Sequence, residues 1–163
     1  MKIVIDPFDK KSIDSAIKEL ARYKAWMLEK EELLRQRLAN IGAEVARIEF
    51  GRAVYDGTND VTVRVEDNGK SATIYAEGSA VAFIEFGSGA KYGGGHPMNA
   101  QFGTGPGTYS DGPDGKGHWN NEKGWYYAHG KRSYGNPPAM AMVHARDAIL
   151  EQYTQIAREV FRD

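Results

Sequence analysis

The chain has 163 residues, a formal net charge of −1 and a pI near 6.4, with 41% apolar and 26% charged residues. That is the balance of one soluble globular domain, and the near-neutral charge gives no global electrostatic case for nucleic acid or an acidic membrane surface. No apolar run approaches the roughly 20 residues that span a bilayer, and Met1-Lys2-Ile3-Val4-Ile5-Asp6 lacks an apolar signal core. The absence of cysteine excludes disulfides, thiolate nucleophiles and cysteine-ligated zinc.

Asp9 to Ser12 supplies helix N-cap candidates, after which Ile13, Ile17 and Leu20 recur at helical spacing, so a short helix is expected over about 12 to 24. Leu34, Leu38, Ile41, Val45 and Ile48 then step by four, three, four and three, opposite Glu31, Arg35, Arg37, Glu44 and Arg47. This predicts a second helix from about Trp26 to Ala53. Its middle carries the small residues Ala39, Gly42, Ala43 and Ala46, where another element can approach closely.

The period next changes to two. Val61, Val63 and Val65 alternate with polar residues, as do Ala72, Ile74 and Ala76, and Asp67-Asn68-Gly69-Lys70 between them has hairpin-turn chemistry. Asp56-Gly57-Thr58-Asn59 is the matching break before the first strand. Val81-Ala82-Phe83-Ile84 is too short to assign and fits either a strand or a helical turn. At the far end Pro138 can open a helix, and Met142, Ala145, Ile149, Tyr153, Ile156 and Val160 form its apolar stripe, predicting a helix over about 138 to 162. The expected fold is α+β, a single domain over 1 to 163. N-terminal helices and a long C-terminal helix pack on a small antiparallel sheet, and an extended loop arm spans about 88 to 136.

Fourteen of the 19 glycines lie between Gly87 and Gly135. A segment of this length without clear periodicity is uncommon in a compact domain and commonly functional. Its aromatic residues, Tyr92, Phe102, Tyr109, Trp119, Trp125, Tyr126, Tyr127 and Tyr134, are separated by glycine. They fit an adaptable assembly surface or a small satellite core over the sheet.

The order of these parts carries a resemblance. A long helical N-terminal region and a β-hairpin precede Phe83-Ile84-Glu85-Phe86-Gly87-Ser88-Gly89; a Gly-rich loop with His96-Pro97 leads to Gly135-Asn136-Pro137-Pro138-Ala139-Met140 and a last helix. This resembles the bacteriophage head-tail joining or tail-completion family of minor tail and neck proteins, which commonly carry an aromatic-Glu-aromatic-Gly-Thr-Gly signature and a Pro-Ala-rich entry into the last helix. Phe83, Glu85, Phe86, Gly87 and Gly89 match the first, and Pro137, Pro138, Ala139 and Ala145 the second. Ser88 stands where threonine is common, Met140 and Met142 replace a typical Phe-Leu pair, and the arm is longer than usual. The resemblance implies a noncatalytic virion protein of the tail or neck, assembled in the host cytoplasm. Its implied partners are copies of itself, as in a ring on a sixfold tail, and tail-tube, tail-terminator or neck proteins. No cofactor is implied.

The motif has a physical reading of its own. Phe83 and Phe86 are expected to anchor in the core. Glu85 between them is expected to accept backbone N–H bonds from the following Gly-rich turn and staple the arm, with Gly87 and Gly89 supplying special backbone angles. The alternative is a carbohydrate- or peptidoglycan-active domain in which Trp119, Trp125 and Tyr126 stack on sugars and Glu85 or Asp114 acts as acid or base. His96, His118, His129 and His144, with Asp111, Asp114 and Glu122 nearby, have no metal-ligand spacing, so no metal site is expected. Lys116, Lys123, Lys131 and Arg132 offer DNA contacts that the same acidic residues nearly cancel. No phosphate-binding loop or Ser-His-Asp pattern is present.

Overall fold

In a computed structural model the described residues are 3 to 53, 59 to 92, 95 to 98, 101, 125 to 126 and 132 to 162. Helix α1 spans Lys10–Arg52, strands β1 and β2 span Thr62–Asp67 and Ala72–Glu77, and two short helices follow, α2 at Val81–Phe86 and α3 at Gly89–Tyr92. A two-residue pair, β3 at Trp125–Tyr126 and β4 at Arg132–Ser133, precedes helix α4 at Ala141–Val160. The fold is α+β, with both long helices packed on the small antiparallel hairpin β1-β2.

The two helices expected at the N-terminus are one helix of 43 residues. The expected break near Lys24 contains neither Gly nor Pro; Ala21 to Leu34 are almost all good helix formers. Tyr23 and Trp26 stack at 5.5 Å on successive turns, and the Lys30 ammonium lies 5.9 Å from the Trp26 ring. Asp9 caps the start, its Oδ1 accepting the Lys11 N–H at 3.0 Å. At the other end Asn59 Nδ2 donates to the Phe50 and Ala53 carbonyls at 2.7 and 3.2 Å, satisfying acceptors the helix leaves unpaired. Residues 54 to 58, which include most of the expected break before β1, lie outside the described residues.

The small residues of α1, not its large apolar stripe, lie deepest. Ala39, Gly42, Ala43, Ala46 and Phe50 are buried, whereas Leu34, Leu38, Ile41 and Val45 are half-buried and Ile48 is exposed. Close approach explains the inversion: a Cβ placed on Gly42 would sit 2.5 Å from Ile149 Cδ1 on α4 and 2.6 Å from Ile74 Cδ1 on β2. Gly42 marks where helix, helix and sheet converge. Ala46, Phe50, Ile84, Ala141 and Ala145 form the central cluster, with Val63, Ala76 and Met142 packed against it.

The hairpin has the expected alternation, with Val63 opposite Ala76 and Val65 opposite Ile74. Its turn is tied to α1, because Asp67 accepts both the Gly69 N–H at 2.8 Å and Arg35 Nε at 2.9 Å. α4 runs antiparallel to α1: Gly42 faces Ile149, and Trp26 meets Phe161 edge-on at 5.9 Å between ring centres. It begins three residues later than expected: Pro137 and Pro138 lie outside any regular element, and Met140 takes a left-handed conformation, φ 53°, that a helix cannot continue. Ala145, Ile156 and Val160 are buried as expected, but Tyr153 is exposed and Val143 takes a place in the core. No helix among the described residues is long and apolar enough to cross a membrane.

Candidate functional site

The two halves of the sequence signature meet in space. Val81-Ala82-Phe83-Ile84 is the first part of α2, and the helix ends because Gly87 turns to φ 74°; a Cβ there would fall 2.6 Å from the Asn136 carbonyl oxygen and 2.7 Å from Pro138 N. Immediately beyond it, Ser88 N–H donates to the Asn136 carbonyl at 2.9 Å, and Asn136 N–H donates back to the Ser88 carbonyl at 3.2 Å. Gly135, at φ 95°, fits this crossing because a side chain there would collide with the Ser88 carbonyl. Two further rungs extend the ladder, Ala139 N–H to the Ile84 carbonyl at 2.8 Å and Met140 N–H to the Glu85 carbonyl at 3.3 Å. The arm thus leaves and re-enters the body through one backbone clamp.

Glu85 lies at the centre of that clamp with its side chain 6% exposed. Its Oε2 accepts the Met142 N–H at 2.9 Å. Met142 is in the first turn of α4, whose N-cap residue Met140 offers no side-chain cap, so Glu85 replaces the missing Ser or Asp from another element and places a negative charge at the positive end of the helix. Its Oε1 lies 3.0 Å from His96 Nε2. Met98 N–H donates to His96 Nδ1 at 3.1 Å, so the proton of the neutral ring belongs on Nε2, where it donates to Glu85. The His96 side chain is 2% exposed and its ring packs 4.4 Å from that of Phe86.

The expected staple exists, with different partners. Among the described residues Glu85 is held by α4 and His96, because the helical form of residues 81 to 86 directs its carboxylate towards the start of α4. The same helical form overturns the expected anchors: Ile84 is fully buried in the core, while Phe83 and Phe86 are half-buried. Gly87 and Gly89 have positive φ, Pro137 is exposed, and Pro138 packs near Gly87 and Gly95.

Among the arm aromatics, Tyr92 is half-buried in α3 and Tyr134 is 44% exposed. Trp125 and Tyr126 supply the backbone of β3, opposite Ser133 and Arg132, so this stretch is a strand pair and not the irregular loop expected. Phe102, Tyr109, Trp119 and Tyr127 lie outside the described residues, as do Asp111, Asp114, Lys116, His118, Glu122, Lys123, His129 and Lys131. Among the described residues no group of three potential ligands converges on a metal position.

His96 is the residue that sequence reasoning undervalued. It was legible as part of His96-Pro97 at the start of the arm, but its partner stands eleven positions earlier and no helical or strand period links the two. Glu85 and His96 form part of the lining of a largely apolar cleft of about 370 Å³, whose other walls include Ile74 and Tyr75 of β2, Phe86 of α2, Met98, and Met142 of α4.

A second carboxylate performs a related task at the other end of α2. Asp60 accepts the Ser79 N–H and Oγ–H, each at 2.7 Å, and the Ala80 N–H at 3.0 Å. The Ser79 hydroxyl and the two backbone N–H groups lower its pKa to about 2. Asp60 and Glu85 therefore fix the entry of α2 and the exit to the arm. No family model, curated protein or solved structure matches this chain.

Proposed function

We propose that this is a noncatalytic structural protein of a tailed bacteriophage or prophage virion, acting in head-tail joining or tail completion through oligomeric docking of its arm. The observation that carries the reading is the clamp. Phe-Ile-Glu-Phe-Gly-Ser and Gly-Asn-Pro-Pro-Ala-Met, the two segments behind the resemblance, hydrogen-bond to each other at Ser88 and Asn136. In this reading their shared role is to hold a long insertion at a fixed exit on a rigid α+β body. Copies of the chain and tail-tube, tail-terminator or neck proteins are the partners.

Glu85 supports a structural use over acid-base catalysis. Both of its oxygens are engaged, one by the α4 terminus and one by His96, and the carboxylate is almost wholly enclosed. A glycoside-cleaving pair needs a second carboxylate across an open groove, and the engagement of Glu85 argues against its serving there.

The test is size-exclusion chromatography with light scattering on the intact chain and on a variant with residues 91 to 133 replaced by a short Gly-Ser linker. Each is run alone and with the tail-tube protein encoded nearby. Ring formation or tube binding by the intact chain, lost in a variant that still folds, is the expected result. Indifference of both proteins to the tube, with affinity of the intact chain for glycans, would overturn the reading.

A further inference from the structure

The turn between β1 and β2 carries an Asn-Gly pair whose polar contacts converge on one amide. Asn68 N–H closes the turn on the Ser71 carbonyl at 3.1 Å, and residues 68 to 71 are all exposed. The Asn68 side-chain oxygen accepts three hydrogen bonds, from Lys70 N–H at 2.9 Å, Ser71 N–H at 2.8 Å and the Ser71 hydroxyl at 3.3 Å. Donors so placed draw electron density from the amide carbon Cγ and hold negative charge that develops on its oxygen.

The neighbouring nitrogen has a proton acceptor of its own. Gly69 N–H donates to Asp67 Oδ1 at 2.8 Å, within the reach required of a general base. That N–H, and the Arg35 guanidinium after it, hold the Asp67 carboxyl below its ordinary range, so the group is charged at neutral pH. Gly69 brings no side chain to crowd its nitrogen, and a Cβ built there would meet nothing within 4 Å. An acceptor on the nitrogen and three donors on the oxygen of the adjoining amide are the two halves of an acyl-transfer site.

We propose that Asn68-Gly69 is a self-modification site, at which the Gly69 backbone nitrogen attacks Asn68 Cγ and the side-chain amide becomes a carboxylate. The nitrogen–Cγ bond forms as the N–H proton passes to Asp67, and the charge on Oδ1 is held by the Lys70 and Ser71 donors. The Cγ–Nδ2 bond then breaks, and Nδ2 leaves as ammonia with the proton handed on from Asp67. The product is a cyclic succinimide, which water opens at either carbonyl to leave aspartate or isoaspartate at position 68. Water is consumed, ammonia is released, and nothing is oxidised or reduced. Either product sets a second carboxylate beside Asp67, and isoaspartate also lengthens the main chain of the turn by a methylene. Both changes fall where Asp67, bonded to Arg35 Nε at 2.9 Å, ties the hairpin to α1. The inference goes beyond the virion reading and does not depend on it, since the turn shares no residue with the arm clamp.

The test is peptide mass spectrometry of the full chain after timed incubation at neutral pH, folded and in guanidinium at the same pH and temperature. Mass and retention time separate the Asn68, aspartate and isoaspartate forms of the turn peptide. The folded chain is expected to convert several-fold faster than the denatured one, which has the same Asn-Gly sequence without the Asp67, Lys70 and Ser71 contacts. Ser71→Ala is expected to narrow that gap by slowing the folded chain and leaving the denatured rate unchanged. A folded rate equal to or below the denatured rate would overturn the proposal, because the turn would then shield the amide. Aspartate formed with no isoaspartate would also overturn it, by assigning the change to direct attack of water. The comparison of folded and denatured chain uses the unaltered protein, so it decides even if Ser71→Ala fails to fold.

Discussion

Glu85 caps a helix that begins more than fifty residues further along the chain, its Oε2 accepting the N–H of Met142 at 2.9 Å. One side chain thereby joins α2, the first turn of α4 and, through His96, the start of the arm. Replacing it removes three tasks together. Glu85→Ala leaves the Met142 N–H and the His96 Nε2–H buried without acceptors, at about 1–3 kcal/mol for each such group. Glu85→Gln retains one acceptor and sets its amide N–H against the other donor, so it is expected to lie between the unaltered chain and Glu85→Ala. Urea midpoints of the three proteins check the order.

His96→Ala is expected to cost about 2–3 kcal/mol by stripping one hydrogen bond from a buried carboxylate and opening space against Phe86. Hydrogen exchange gives the more specific readout. Faster exchange at the Ser88 and Asn136 amides than in α1 is expected if the pair holds the clamp, and uniform acceleration would assign His96 a general packing role.

Gly42 and Gly51, both within α1, should respond oppositely to alanine. At Gly51 nothing lies within 4 Å of the added methyl, so only helix propensity changes, and Gly51→Ala is expected to stabilise by up to about 1 kcal/mol. At Gly42 the methyl meets Ile149 and Ile74, and overpacking of about 1–3 kcal/mol outweighs the same propensity gain. Thermal midpoints that move in opposite directions are the expected outcome.

Asp60 gives the fold a defined acid sensitivity. Its folded pKa is lowered from 3.8 to about 2 by Ser79 and Ala80, so its contribution is complete above about pH 4 and is lost as pH falls towards 2. Asp60→Asn should be less stable than the unaltered chain at neutral pH, with the difference shrinking across that window. Denaturant midpoints from neutral pH down to the acid limb of folding measure it.

Much of the fold was readable because it rests on local periods. The hairpin follows from Val63 and Val65 alternating opposite Ile74 and Ala76, and α4 follows from Ala145, Ile156 and Val160. The continuity of α1 past Lys24 was missed because a stripe read from large apolar residues lapses there, although the backbone has no reason to break. The depth of Ala39, Gly42 and Ala43 was visible only as a stripe of small residues; which of two faces is deeper depends on what packs against them. The site was legible in its parts and not in its bonds. Glu85 was singled out, but its partners Met142 and His96 are set by where α2 ends and α4 begins, which no spacing records.

The clamp has a consequence for how this chain can change over generations. Ser88 and Asn136 are 48 positions apart yet directly bonded, so the two ends of the insertion are held together at the body while His96 ties its first part to Glu85. The entropy of closing such a loop grows with the logarithm of its length, and doubling it costs only about 0.6 kcal/mol. Provided that His96 and its contact with Glu85 are kept, a change in length of the intervening sequence therefore costs little in closure entropy. Recognition and foldability can evolve on separate schedules, and the same junction is a natural place to graft a foreign peptide.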